Sequence, residues 1–196
     1  EFRRVLFRSV KVVTGNANKA KEIREIMKDL QLDIGIISID LMEIQETPLN
    51  IIEYKAREAI KHATTPIIVE DVSFNLLCMG DLPGPYIKYF IQNIGAKGLY
   101  TIAKGFNDYR AQAVITIGVT RRVGDEVVKI QAVIDGTIVE PRGVNGFGFD
   151  SCFVPEGHTQ TYAEMTDDEK NGCSHRGVGY RKLAAYLKEH PDYFTQ

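Results

Sequence analysis

The sequence predicts an α/β fold, and three features of its patterning do so. A β-branched run, Val10–Thr14, leads through a Gly-Asn break directly into a helical repeat. Two longer segments, Arg110–Thr120 and Glu126–Asp135, alternate apolar and polar residues on either side of a polar turn, as an antiparallel hairpin does. Amphipathic stretches at helical spacing lie between and after them. Together these predict helices on both sides of a mixed β-sheet with a long antiparallel section.

The elements follow in order. Residues 1–9 are set aside as a tag or other non-native tail, with an Arg-rich targeting segment as the competing reading, and residues 10–196 are taken as a single domain. After the first strand, Ile23, Ile26, Met27 and Leu30 recur at helical spacing from Ala17 to about Leu30. Asp33–Ile39 is a second apolar run, followed by an acidic loop, Asp40–Glu46. Thr47-Pro48 reads as an N-cap with Pro at the first helical position, opening a helix whose apolar face carries Ile52, Ala56, Ala59, Ile60 and Ala63. Pro66–Val69 reads as a buried strand ending in Glu70-Asp71. Helical stretches at Tyr86–Asn93 and Ala96–Lys104 follow the Pro/Gly loop Leu82–Pro85. Thr166-Asp167-Asp168-Glu169 fits a capping box for a short helix containing Lys170, and Tyr180, Leu183, Ala184 and Leu187 mark a last helix before Pro191.

Composition excludes several classes. With 44% hydrophobic and 26% charged residues the chain is neither collagen-like, a disulfide scaffold nor disordered. Lys plus Arg number 24 against 26 Asp plus Glu, a net charge of −2. Binders of nucleic acid or of anionic membranes carry a basic excess, so neither is an expected partner. No apolar run approaches the roughly 20 residues that span a bilayer. Cys78, Cys152 and Cys173 form no CxxC pair, which fits a reduced compartment and a cytoplasmic location. An anionic small molecule must then be held by a local cluster of cations.

Four constellations carry chemistry. Thr14-Gly15-Asn16-Ala17-Asn18-Lys19 joins a strand to a helix, where backbone N–H groups, a glycine and a lysine suit a phosphate; the competing reading is an ordinary turn with a solvated lysine. Glu43, Glu70 and Asp71 stand at loops and strand ends, where converging carboxylates hold Mg²⁺ together with waters and substrate phosphates, or orient an attacking water. Gly146-Phe147-Gly148-Phe149-Asp150 sets two aromatics beside glycines and a carboxylate, suited to stacking on a base or to filling a core. Lys170, sharing a helix face with Ser174, joins His175 and Arg176 in a donor-rich patch for phosphate or a keto oxygen. A Ser-His nucleophile pair is disfavoured, since backbone neighbours rarely pair as a dyad does and no GxSxG elbow is present.

Taken in this order the motifs resemble the inosine triphosphate pyrophosphatase family, in its eukaryotic form. The resemblance runs through Thr14-Gly15-Asn16-x-x-Lys19, Asp40-Leu41-x-Glu43, Val69-Glu70-Asp71, Leu82-Pro83-Gly84-Pro85-Tyr86-Ile87-Lys88 and Pro141-Arg142-Gly143. It continues in Gly146-Phe147-Gly148-Phe149-Asp150, Tyr162-Ala163-Glu164-Met165, Glu169-Lys170-Asn171 and Ser174-His175-Arg176. It implies an α/β fold of two lobes around a long mixed β-sheet flanked by helices, a nucleotide cleft between the lobes, a homodimer, a divalent metal (Mg²⁺, with Mn²⁺ an alternative), and hydrolysis of ITP, dITP or XTP to the monophosphate and pyrophosphate. That reaction cleanses the nucleotide pool. The competing functions are a related pyrophosphatase for modified pyrimidine nucleotides and a non-catalytic nucleotide sensor.

By position, the resemblance implies that Asn16 and Lys19 cradle the triphosphate beside Thr14 and Gly15, with Lys55 a further contact. Glu43 and Asp71 hold the metal, and Asp71 or Glu70 orients the water. Phe147 and Phe149 sandwich the base across Gly148, and Asp150 accepts from its edge. Lys170, Ser174, His175 and Arg176 line the phosphate and 6-keto side. A buried donor facing position 6 is satisfied by a keto group and left unpaired by adenine's amino group, at a cost of about 1–3 kcal/mol. Val72, Phe149 and Ser151 depart from residues common in the family, and none of the three replaces a charged group.

Overall fold

The computed structural model describes residues 8–28 and 32–194. The expectations for residues 1–7 and for the helix end at Leu30 lie outside the described residues. The elements run β1 (Arg8–Val13), α1 (Ala17–Ile26), β2 (Leu32–Ile37), α2 (Pro48–Ala59), β3 (Ile67–Leu76), β4 (Cys78–Asp81), β5 (Pro83–Gly84), α3 (Ile87–Phe106), β6 (Arg110–Thr120), β7 (Val128–Ile138), β8 (Phe153–Pro155), α4 (Asp167–Cys173) and α5 (His175–Glu189). β1 therefore starts two residues inside the segment set aside as a tail.

Seven strands form one open sheet in the order β2-β1-β3-β6-β7-β8, with β5 paired to β3. β1 runs parallel to both β2 and β3, whereas β5 on β3 and β8 on β7 are antiparallel, so the sheet is mixed as the patterning predicts. No helix among the described residues is long and apolar enough to cross a membrane.

The chain divides into two compact units. One comprises Glu1–Glu70, Thr116–Ile130 and Tyr180–Gln196, the other Asp71–Ile115 and Gln131–Gly179. In the first, Thr47 caps α2 by accepting the Asn50 N–H at 3.4 Å, with Pro48 behind it in the first turn. Ile52, Ala56 and Ala59 then pack with Val13, Ile67, Val69 and Val127. α2 ends at Ala59 and a 3₁₀ turn, Ile60–His62, follows, so Ile60 and Ala63 lie beyond the helix on whose face they were expected.

In the second unit Phe74 meets Phe149 at 4.4 Å between ring centroids and Phe153 edge-on at 5.5 Å, while Tyr162 lies 5.2 Å from Phe153. These rings join Leu76, Ile87, Leu99 and Ala103 in one core. Gly95, at φ 65° and ψ −179°, breaks α3 where the sequence separates two helical stretches; a glycine adopts that backbone without a Cβ penalty.

One boundary differs from expectation. β3 does not end at Glu70-Asp71 but continues to Leu76, because the loop after it folds back as β5 and pairs Pro83 and Gly84 with Asn75 and Phe74. β6 also departs from alternation. It is buried almost throughout, as befits a strand between two others, and β7 carries the alternating pattern.

Candidate active site

In the first unit the predicted phosphate loop is built by the end of β1 and the start of α1. The Thr14 hydroxyl accepts the Asn16 N–H at 3.1 Å, and Asn16 caps α1 by accepting the Asn18 and Lys19 N–H groups at 2.9 and 3.2 Å. Those two amide groups are thus engaged by the cap, and an anion reaches them only after the Asn16 side chain rotates away. Gly15 packs near Ser38, where an added Cβ would stand 3.2 Å from the hydroxyl. One turn into α1, Lys19 Nζ lies 3.1 Å from Glu70 Oε1. The Glu70 side chain is 1% exposed and that of Lys19 24%. A buried carboxylate thus holds a lysine whose other side still meets solvent. Lys55 is half-buried on α2 and Glu43 is exposed in the loop before it.

Glu70 and Asp71 are consecutive on β3, and successive strand residues point to opposite faces. The pair therefore does not present two carboxylates on one face. Among the described residues no three His, Cys, Asp or Glu side chains are grouped so as to hold a metal ion. A closed protein cage is absent from that set, but carboxylate oxygen is the donor that Mg²⁺ selects, and one or two carboxylates suffice when substrate phosphates and waters complete the octahedron. The residues fit Mg²⁺ on that footing.

In the second unit Asp150 is the centre of a compact arrangement. Its Oδ2 accepts the Phe147 N–H at 2.7 Å and Lys170 Nζ at 2.8 Å. Gly146, at φ 76°, is required by this turn, since a Cβ there would collide with the Asp150 carboxylate. Phe147 is half-exposed, with Lys170 Nζ 5.0 Å and the Arg176 guanidinium 5.9 Å from its ring centroid. Gly148, at φ 66°, turns the chain so that Phe149 enters the core against Phe74. The two phenylalanines expected to sandwich a base are therefore unequal: Phe149 is a core aromatic and Phe147 the accessible one.

The donor patch comes from a helix junction. Thr166 and Glu169 form the predicted capping box, which starts α4 and places Lys170 within it. Ser174 does not share a helix face with Lys170, as the spacing suggested. It has extended backbone (φ −72°, ψ 158°), ends α4, and its hydroxyl accepts the Gly177 N–H at 3.1 Å, setting the first turn of α5. His175 and Arg176 occupy that turn. Lys170, Ser174, His175 and Arg176 are all buried, which for the cations Lys170 and Arg176 is unusual and marks them as held in place. His175 packs against Phe149 and Tyr162, at 5.6 and 6.1 Å between ring centroids.

Burial pushes the Cys152 thiol beneath this arrangement up to about 12, aided by the nearby Asp150 charge, and burial likewise raises Tyr162. Phe74, which backs Phe149, and Arg142 and Glu164, which form an ion pair, carry no signal in the sequence beyond their places in a strand and in two motifs. Opposite charge on two loop residues carries no periodic signal that would pair them.

A family model described as the Ham1 family matches residues 10–186. Inosine triphosphate pyrophosphatase of Schizosaccharomyces pombe is 39% identical over 183 residues, covering 93% of this chain and 97% of the relative. The protein of that name from Phaeosphaeria nodorum is 42% identical over 180 residues, covering 92% and 94%. A solved structure of a HAM1 protein from Coxiella burnetii matches with a TM-score of 0.82 at 26% identity, over 92% of this chain and 98% of that one.

Proposed function

This chain belongs to the Ham1 family, and from that premise we propose that it hydrolyses inosine- and xanthosine-type purine nucleoside triphosphates, breaking the bond between the α and β phosphates. Pyrophosphatase activity towards inosine triphosphate accords with the relatives' name. The observation that carries the reading is Lys170 with Arg176: two buried cations beside an accessible aromatic ring, a pairing suited to a flat base with a keto oxygen.

On this reading Phe147 offers the stacking face, Phe149 anchors the same turn in the core against Phe74, and Asp150 fixes both the Phe147 amide and Lys170. Lys170, His175 and Arg176 offer donors to the keto edge, and adenine's amino group leaves such a donor unpaired. One unpaired donor costs about 1–3 kcal/mol, or roughly one to two decades of discrimination. Thr14, Gly15, Asn16 and Lys19, with Lys55 as a further contact, take the triphosphate.

Glu70 holds the Lys19 ammonium in place. Asp71, the next residue on β3, would orient the attacking water, with Glu70 the alternative. Glu43 and Asp71 would hold Mg²⁺, with Mn²⁺ the alternative, and the ion supplies neutralisation of phosphate charge as the anhydride bond breaks. The reading includes a homodimer and a cytoplasmic location.

The test is to incubate ITP with the protein and Mg²⁺ and resolve the products. IMP with pyrophosphate is the expected result, and IDP with orthophosphate overturns the proposal.

A further inference from the structure

Pro141-Arg142-Gly143 and Tyr162-Ala163-Glu164-Met165 have no place in the chemistry above, yet the structure sews them together. Arg142 Nε lies 3.0 Å from Glu164 Oε2, and its terminal nitrogen donates to the Thr159 carbonyl at 2.6 Å. The same Glu164 oxygen accepts the Thr161 N–H at 2.8 Å, and the Thr161 hydroxyl donates back to the Arg142 carbonyl at 3.0 Å. The Val144 and Asn145 N–H groups both donate to the Ala163 carbonyl, at 3.1 and 3.0 Å. Gly143, at φ 87°, lies so close to the Ala163 backbone that any Cβ would collide with it.

We infer that Arg142 and Glu164 are positioning residues that hold Phe147 and Lys170 as one body. The two stitched loops have different outlets. One runs on to Phe147 and Asp150; the other runs on to Thr166, the N-cap of the helix that carries Lys170. Asp150 Oδ2 closes the circuit, accepting from Phe147 N–H at one side and from Lys170 Nζ at the other. Val144, 97% exposed at the tip of the first loop, adds no core packing there, so the loop is held by hydrogen bonds, the strap's and those of the Val144 and Asn145 N–H groups to Ala163. An exposed ion pair alone contributes little, but this one also holds two backbone groups, the Thr159 carbonyl and the Thr161 N–H, which makes it a geometric device more than an electrostatic one. Preorganised contacts to a base act on binding, so the strap governs how well the purine is held and leaves the phosphate chemistry alone.

The inference rests on the proposed function, and two measurements separate their failures. Arg142→Ala and Glu164→Ala are expected to raise KM for ITP about three- to tenfold with kcat within about twofold, and Glu164→Gln, which keeps an acceptor for the Thr161 N–H, to restore part of the loss. Hydrogen exchange read at the Phe147 amide is expected to speed up in the two alanine variants, whatever the activity. Unchanged KM in variants that hydrolyse ITP, or a fall in kcat at unchanged KM, overturns the positioning role. Unchanged exchange at Phe147 overturns the strap itself. Absence of ITP hydrolysis by the unaltered chain overturns the functional reading and the positioning role together, while exchange still reports on the strap.

Discussion

Asp150 and Lys170 form an ion pair, Oδ2 to Nζ 2.8 Å, in which both side chains are almost wholly withdrawn from solvent. The same oxygen accepts the Phe147 amide, so one carboxylate fixes a cation and an aromatic residue at once. Charges taken out of water must be compensated by geometry, and removing one partner leaves the other stranded.

Lys170→Met is therefore expected to destabilise the fold by about 3–5 kcal/mol, and a Lys170→Met, Asp150→Leu double variant by less than the sum of its singles. Urea unfolding measures both. A single-variant loss below about 1 kcal/mol would contradict the pairing.

Phe147 and Phe149 are expected to separate cleanly. Phe147→Ala removes a ring that the core does not use, so stability is kept while ITP binding weakens by about 1–3 kcal/mol, read as KM. Phe149→Ala empties a core site beside Phe74 and costs about 3–5 kcal/mol of stability. Equal effects of the two substitutions on the unfolding midpoint would show that their places are not distinct.

The Lys19–Glu70 pair is expected to matter for turnover. Lys19→Met removes the cation that faces the buried Glu70 carboxylate beside the phosphate loop, lowering kcat/KM for ITP about 30-fold or more. Glu70→Gln, which keeps the lysine but loosens its hold, is expected to fall between this variant and the unaltered protein. Steady-state pyrophosphate release distinguishes the three.

Removal of divalent ions with EDTA is expected to abolish ITP hydrolysis and added Mg²⁺ to restore it. Glu43→Gln and Asp71→Asn are expected to raise the Mg²⁺ concentration needed for half-maximal activity. A Mg²⁺ dependence identical to that of the unaltered chain would remove both residues from the metal assignment.

The Cys152 thiol gives a pH prediction. Burial raises it to about 12, above the ordinary value of 9.0, so the folded state holds its proton more tightly than the unfolded chain does. The contribution is complete below about pH 9 and is lost as pH rises towards 12. Alkylation at pH 8 should leave Cys152 unmodified in the native protein and label it in denaturant. Rapid native labelling would count against its burial.

Much of this was legible in the residues. The Thr47-Pro48 helix start, the Thr166–Glu169 capping box, and the Gly15-Asn16 break between the first strand and its helix all depend on neighbours in the chain. The order of motifs carried the family because a series of short patterns in one sequence is far more specific than any one of them. The mixed sheet followed from the two kinds of periodicity.

The tertiary structure decided what periodicity does not encode. It extended β3 past Glu70-Asp71, because strand length is set by partners and β5 supplied one from a loop. It ended α4 at Ser174, since a cap to Gly177 competes with one more helical turn. It separated Phe147 from Phe149, alike in sequence, by the direction in which Gly148 turns the chain. It joined Arg142 to Glu164 and Asp150 to Lys170, pairs whose members are distant in sequence and made neighbours by packing alone. The sequence by itself determined which chemical groups this protein carries and its fold class; which groups touch was decided only when the backbone closed on itself, because burial and hydrogen bonding act through space.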